Sequence, residues 1–183
     1  MKSGIRILSL GCAPLIKKKT LLVGIVSRDN NIEGVLSTYV EVDGTDATEK
    51  IKRLFKKSRF RDQIKIIAVN GLGLAGLNIL DVFDLERELK VKVVSLTRKK
   101  PHPNELIKAL KAFSKETKID VRSRIELVKN LKKLNIVKID RFYIQTSADE
   151  RDIRRFIVEI FNMLRLVHMI ASGVTKGESR NRI

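Results

Sequence analysis

Residues Ile64 to Gly76 read IKIIAVNGLGLAG. Ile64, Ile66, Ile67, Ala68 and Val69 form a short apolar run rich in β-branched side chains, the pattern of a strand covered on both faces. Asn70 and Gly71 end the run. Gly73 and Gly76 leave the turn without Cβ atoms, so another backbone or a ligand can come close. From Leu77 the apolar positions (Leu77, Leu80, then Phe83 or Asp84, and Leu85) fall near the helical period and predict a helix. Val91 to Leu96 reads as a second buried strand. A strand–turn–helix–strand unit requires a parallel sheet with a cleft outside the carboxyl ends of its strands.

Gly71, Gly73 and Gly76 also spell G-x-G-x-x-G. One reading is a dinucleotide site with a pyrophosphate on the helix amino end, Arg98, Lys99 and Lys100 then meeting the 2′-phosphate of an NADP-type cofactor. The other is that the glycines only let helix and sheet pack closely. The fingerprint normally follows the first strand of its domain, and here three strands precede it, which favours the packing reading.

Those three strands are Ile5 to Leu10, Leu21 to Val26 and Gly34 to Val42, joined by short turns and read as an antiparallel meander. Thr45 or Asp46 then caps a helix, with Asp46 and Glu49 at capping-box spacing. Ile51, Leu54 and Phe55 form its buried face; Lys50, Lys52, Arg53, Lys56 and Lys57 its wet face. Beyond the central unit, Pro101 and Pro103 break the chain. Leu106, Ile107, Leu110 and Phe113 mark one amphipathic helix, and Ile125, Leu127, Val128, Leu131 and Leu134 another. Ile139 to Thr146 predicts a last strand, and Ser147 or Asp149 caps a long final helix ended by Gly173. The 183 residues read as one domain, residues 1–183, with 174–183 as a flexible tail. The layout is α/β: three antiparallel strands, then parallel strands with helices on both faces, a ribonuclease-H-like mixed sheet.

Composition narrows the partners. Hydrophobic residues make up 43% of the chain, which sets it among globular proteins. The sequence has no uninterrupted apolar run long enough to span a membrane. The opening MKSGIRILSLGCAPLIKKK is read as a strand rather than a signal peptide, implying an intracellular, cytoplasmic protein. The single cysteine, Cys12, forbids an internal disulfide. Lys and Arg number 38 against 21 acids, a net charge of +17 that points to a polyanion, nucleic acid first. With aromatics at 5% and no Trp, backbone contact fits better than base stacking. The cations expected at phosphates are Lys17, Lys18, Lys19, Arg59, Arg61, Arg98, Lys99 and Lys100; those of the last trio sit just beyond a strand's carboxyl end. Lys129, Lys132 and Lys133 share one helical face and read as solvated.

With these residues in view, the chain resembles the archaeal endonuclease dU family, itself similar to endonuclease V. The blocks that carry the resemblance are GVLSTYVEVDGTDATEKI (Gly34 to Ile51), SRFRDQIKIIAVNGLGLAGLNILD (Ser58 to Asp81), SLTRKKP (Ser95 to Pro101) and HMIASGVTKGES (His168 to Ser179). The resemblance implies an endonuclease V-like fold and a DNA-repair nuclease that cuts near deaminated bases such as deoxyuridine, with Mg²⁺. Family members resemble a pattern of hydrophobic strand, two aspartates, Gly, Pro. Here Gly11 and Cys12 stand where those aspartates would be, and Asn70 where endonuclease V relatives carry Asp. Mg²⁺ takes hard anionic oxygen, which neither glycine nor a thiol supplies. No metal ligand is therefore assigned. Asp43, Asp46 and Asn70 are the remaining catalytic candidates. Asp43 also reads as a turn residue and Asp46 as a helix cap. Asp81 and Asp84 read as solvated, His168 as a core residue, His102 as a loop residue and Cys12 as a small buried hydrophobe. The functional alternatives are a nucleic-acid-binding family member, a dinucleotide enzyme, and a non-catalytic scaffold that pairs with itself, as a homodimer, or with an active relative.

Overall fold

The computed structural model describes residues 4–15 and 18–179. The chain forms β1 (Arg6–Cys12), β2 (Lys19–Arg28), β3 (Asn31–Glu41), α1 (Ala47–Lys57), β4 (Ile64–Val69), β5 (Gly73–Leu74), β6 (Asn78–Ile79), α2 (Val82–Leu89) and β7 (Lys92–Thr97). It continues with α3 (Pro103–Thr117), α4 (Arg122–Leu131), β8 (Asn135–Ile139), β9 (Phe142–Thr146) and α5 (Glu150–Lys176).

Seven strands make one sheet in the order β3-β2-β1-β4-β7-β9-β8. β1, β2 and β3 are antiparallel neighbours, β4 lies parallel to β1, and β7 lies parallel to β4. A meander followed by parallel strands added beside its first strand is the ribonuclease-H-like arrangement. The central strands read as near-continuous apolar runs because both faces are covered. Leu8, Leu10, Ile67 and Val69 pack with Ile51 and Phe55 of α1, Leu85 of α2, Leu110 of α3 and Val128 of α4. Ile7, Ile66, Ala68, Val94 and Ile144 pack on the other face with Ile153, Phe156 and Ile160 of α5. Burying one such side chain fully contributes about 1.5–3 kcal/mol.

Four expectations are corrected. The segment from Leu77 is not helical: β5 and β6 form a hairpin whose turn residues, Ala75 and Gly76, have φ of 46° and 86°, and α2 starts only at Val82. Two consecutive positive φ values make a tight hairpin, and the local turn prevails over the apolar spacing. The last strand is two: β8 and β9 pair antiparallel around a turn at Asp140, whose φ is 52°. β9 then pairs antiparallel with β7, so the sheet is mixed at this edge too. α5 runs through Gly173 and ends on Gly177, at φ 77°, so residues 174–176 belong to the helix rather than to a tail. Lys52 is buried rather than wet. α5 is also long and apolar enough by length and composition to cross a membrane. Here it lies along the sheet as a core helix.

Candidate nucleic-acid interface

β1, β4 and β7 run in one direction, so Cys12, Asn70 and Thr97 mark a common carboxyl edge. β2 starts at this edge with Lys19, and β9 starts there at Phe142. Between the tips of β1 and β4 lies a cavity of about 150 Å³ lined by Gly11, Cys12, Asn70, Ala75, Leu164 and His168. α5 thus brings His168 beside Cys12 and Asn70, a meeting that sequence distance conceals. A second hollow, lined by Gly71, Thr97, Pro101, His102 and Gln145, opens next to Arg98.

The first cavity is where magnesium would have to sit, and its donors do not fit that ion. Gly11 offers no ligand, and a Cβ there would lie 2.8 Å from Val167 Cγ1, so α5 presses directly on the backbone. Burial pushes the Cys12 thiol up from 9.0 to about 11, against a weaker opposing pull from its hydrogen bond with the Ala75 backbone. The thiol therefore stays protonated at neutral pH and is a poor nucleophile, and its sulfur is too soft a donor for magnesium. Asn70 is exposed and uncharged. Among the described residues, no group of three or more His, Cys, Asp or Glu side chains could hold a metal ion.

The carboxylates considered in the sequence all work inside the fold. Asp43, at φ 55°, accepts from the Leu77 N–H at 2.8 Å and donates its own N–H to Ala75 O at 2.9 Å. Gly76 is required beneath it, because a Cβ there would lie 2.2 Å from Asp43 Oδ1. Asp46 precedes α1 without capping it through its side chain. Its Oδ1 instead accepts from the Glu41 N–H at 3.0 Å and from Asn78 Nδ2 at 2.8 Å. Asp81 and Asp84 are not simply solvated. Asp81 caps α2 by accepting from the Asp84 N–H at 3.0 Å, and Asp84 pairs with Lys52 and Arg87. Burial pulls the Lys52 pKa down, but Asp84, Glu49 and Glu88 outweigh it and hold the ammonium above the ordinary lysine value.

Two residues that build this loop system escape sequence reasoning. Asn78 is fully buried; its Oδ1 accepts from the Ala47 N–H at 3.1 Å and its Nδ2 donates to Glu41 O at 2.9 Å. Arg124 is also buried, donating to Asp43 O at 2.7 Å and Leu77 O at 3.3 Å, with Phe113 against its guanidinium. Its signal was present: Arg124, Val128 and Leu131 share an i, i+4, i+7 stripe, and all three are buried.

The expected phosphate contacts divide between two edges. Lys18, Lys19, Arg98, Lys99 and Lys100 lie exposed at the carboxyl edge, and their side chains make no ion pair among the described residues. Lys17 falls outside the described residues. Arg59 and Arg61 precede β4 and sit at the opposite edge. Arg59 lies over the Phe60 ring at 4.7 Å, and Arg61 Nε is 3.7 Å from Asp62. They are thus separated from the rest of the set. The G-x-G-x-x-G turn sits in the β5–β6 hairpin with no helix amino end behind it, which removes the dinucleotide site's central requirement.

The family model described as Endonuclease dU matches residues 3–175. The chain belongs to the endonuclease dU family. A UPF0215 protein of Methanothermobacter thermautotrophicus is 37% identical over 193 residues, covering 98% of this chain and 92% of that protein. A crystal structure of a protein of unknown function from Archaeoglobus fulgidus superposes with a TM-score of 0.84 at 28% identity, covering 94% of this chain and 99% of that one. A fainter likeness is to Ciona intestinalis endonuclease V in complex with an inosine-containing DNA, at a TM-score of 0.47 and 10% identity over 85% of this chain and 77% of that one. For this endonuclease dU family member, the match runs from before β1 almost to the end of α5 and so includes the β1 tip with Gly11 and Cys12.

Proposed function

We propose that this endonuclease dU family member binds nucleic acid, DNA first, through phosphates at the carboxyl edge of its sheet, and does so without hydrolysing it. One juxtaposition carries the reading. The tips of β1 and β4 present Gly11, Cys12 and Asn70 and no carboxylate, while the same edge carries Lys18, Lys19 and Arg98 to Lys100 with no acid paired to them among the described residues. Cations left unpaired beside a cleft in a chain of charge +17 attract a polyanion over distance and hold it by counterion release. Two-metal hydrolysis needs acidic oxygens on both sides of the phosphate, and this edge offers an amide, a protonated thiol and an imidazole.

The test is fluorescence anisotropy with deoxyuridine-containing duplex and single-stranded DNA across a salt series. If six or more phosphates are held, affinity falls by about 10³ or more between about 50 and 200 mM salt. Nicking of the same DNA is assayed with Mg²⁺ and with Mn²⁺, and none is expected. Binding that is absent or indifferent to salt overturns the nucleic-acid reading; metal-dependent nicking overturns the non-hydrolytic one.

A further inference from the structure

We propose that β3 is a self-association edge: two copies pair their β3 strands antiparallel and continue the sheet from one molecule into the next. β3 is the outermost strand on its side, eleven residues long, NIEGVLSTYVE. At Glu41 the N–H and C=O are taken by Asp46 and Asn78; before it, the outer N–H and C=O groups of β3 have no neighbouring strand among the described residues. Such an edge templates pairing unless lysines, prolines or a bulge blunt it. β3 has no proline and no cation, in a chain that carries 38 Lys and Arg. Its one register irregularity lies near the β2–β3 turn, between Val26 and Ser27, leaving the remainder regular.

The face beside this edge is apolar. Ile32, Val35 and Tyr39 pair with Ser27, Ile25 and Leu21 of β2 and therefore point to the α5 side. They are 49%, 55% and 59% exposed, because α5 lies over β1 and β2 and stops short of β3. Asn162 of α5 donates to Asn30 Oδ1 in the β2–β3 turn, fixing the flank of α5 that looks toward β3. Leu166, Ile170 and Val174 follow on that flank at intervals of four. β3 and this flank of α5 thus present neighbouring apolar surface.

Charge selects the occupant. Two molecules of charge +17 repel, and close approach costs least where neither presents a cation. Glu33 is already held by Arg6 and Arg28, leaving Glu41 as the only other charge on the strand. On β3 itself a polyanion finds no cation to bind. A second β3 supplies the missing hydrogen bonds and equally neutral side chains. The two-fold axis of such a pair stands perpendicular to the sheet, so the two carboxyl edges point in opposite directions and both stay open.

Sedimentation velocity over a dilution series reads the association, and hydrogen exchange locates it. Dimers are expected to strengthen with salt, because screening removes the repulsion, whereas nucleic-acid binding weakens. The outward amides of β3 should exchange slowly at high protein concentration and quickly on dilution. Tyr39→Lys and, separately, Val35→Lys change exposed positions, and each should shift the dimer dissociation constant at least tenfold while leaving the melting temperature unchanged at dilutions where the protein is monomeric. A protein monomeric at every concentration and salt overturns the proposal. So does a dimer that both variants leave intact, or one whose β3 amides exchange at the same rate at all concentrations.

Discussion

At the amino edge of the sheet, basic residues are partnered. Arg6 and Arg28 share Glu33, Arg59 lies over Phe60, and Lys92 donates to Ser147 Oγ at 3.0 Å with Glu86 at 4.0 Å. Lys52, between α1 and α2, is the extreme case, with three carboxylates around one buried ammonium. At the carboxyl edge, Lys18, Lys19 and Arg98 to Lys100 have no such partners among the described residues. The residue types are the same, but at one edge the charge is consumed by the fold and at the other it is left unpaired. Net charge therefore marks the protein as basic without saying which cations are available.

The sharpest break of this contrast compares substitutions at the two edges. Replacing Arg98, Lys99 and Lys100 together by Ala should weaken DNA binding by about 10²–10³ near 0.1 M salt, and flatten the salt slope by about three, one for each phosphate no longer held. Arg59→Ala with Arg61→Ala should change the affinity less than about twofold, since neither lies at the carboxyl edge. Anisotropy titrations at several salt concentrations check both. Equal losses from the two sets would mean that the charge acts as a diffuse field and that the edges do not differ.

Lys52→Met tests the partnered side. It leaves Asp84, Glu49 and Glu88 without the ammonium that joins them, and unfolding free energy should fall by about 3 kcal/mol in urea melts. Lys56→Ala removes only an exposed pair to Glu88, 3.2 Å long, and should cost less than about 1 kcal/mol. DNA affinity should be unmoved by either.

Cys12 tests whether the unpaired cations reach into the cavity. Its thiol is raised from 9.0 to about 11 by burial, so the folded state favours the protonated form. Between those values the unfolded chain ionises first, and stability fades as pH rises through that window. At pH 8 the folded thiolate is about a hundredfold scarcer than in the unfolded chain, and alkylation should be slower in proportion. A thiol that titrates near neutrality would show a positive field inside the cavity and would reopen a nucleophilic role.

Much of the fold was legible in local patterns. The apolar run Ile64 to Val69 and the meander before it announced a ribonuclease-H-like sheet, because burial on two faces leaves a mark in sequence. What was illegible depended on contacts between distant segments. The spacing of Leu77, Leu80 and Leu85 resembled a helix, yet positive φ at Ala75 and Gly76 turned the chain into a hairpin pinned by Asp43 and Arg124. Lys52 looked wet beside Lys50 and Arg53 until α2 placed Asp84 and Glu88 over it. The β1 tip was readable as acid-free from Gly11 and Cys12 alone. The cavity around it was not, since His168 arrives from the far end of the chain.

The smallest expected effect concerns whether acids could simply be put back. Gly11→Asp adds a Cβ where Val167 Cγ1 is 2.8 Å away, a side-chain neighbour that can yield partly. Overpacking of that kind costs about 1–3 kcal/mol, and Val167→Ala in the same chain should recover part of it, a coupling that a double-mutant cycle reads directly. If Gly11→Asp is as stable as the parent, α5 is not pressed against the β1 tip and the cavity wall yields at little cost. If the cost appears and Val167→Ala relieves it, the absence of the acid and the seating of α5 are one feature. Acids put in place of Gly11 and Cys12 would then not by themselves make a metal site at this edge, because the helix that covers them would have to move first.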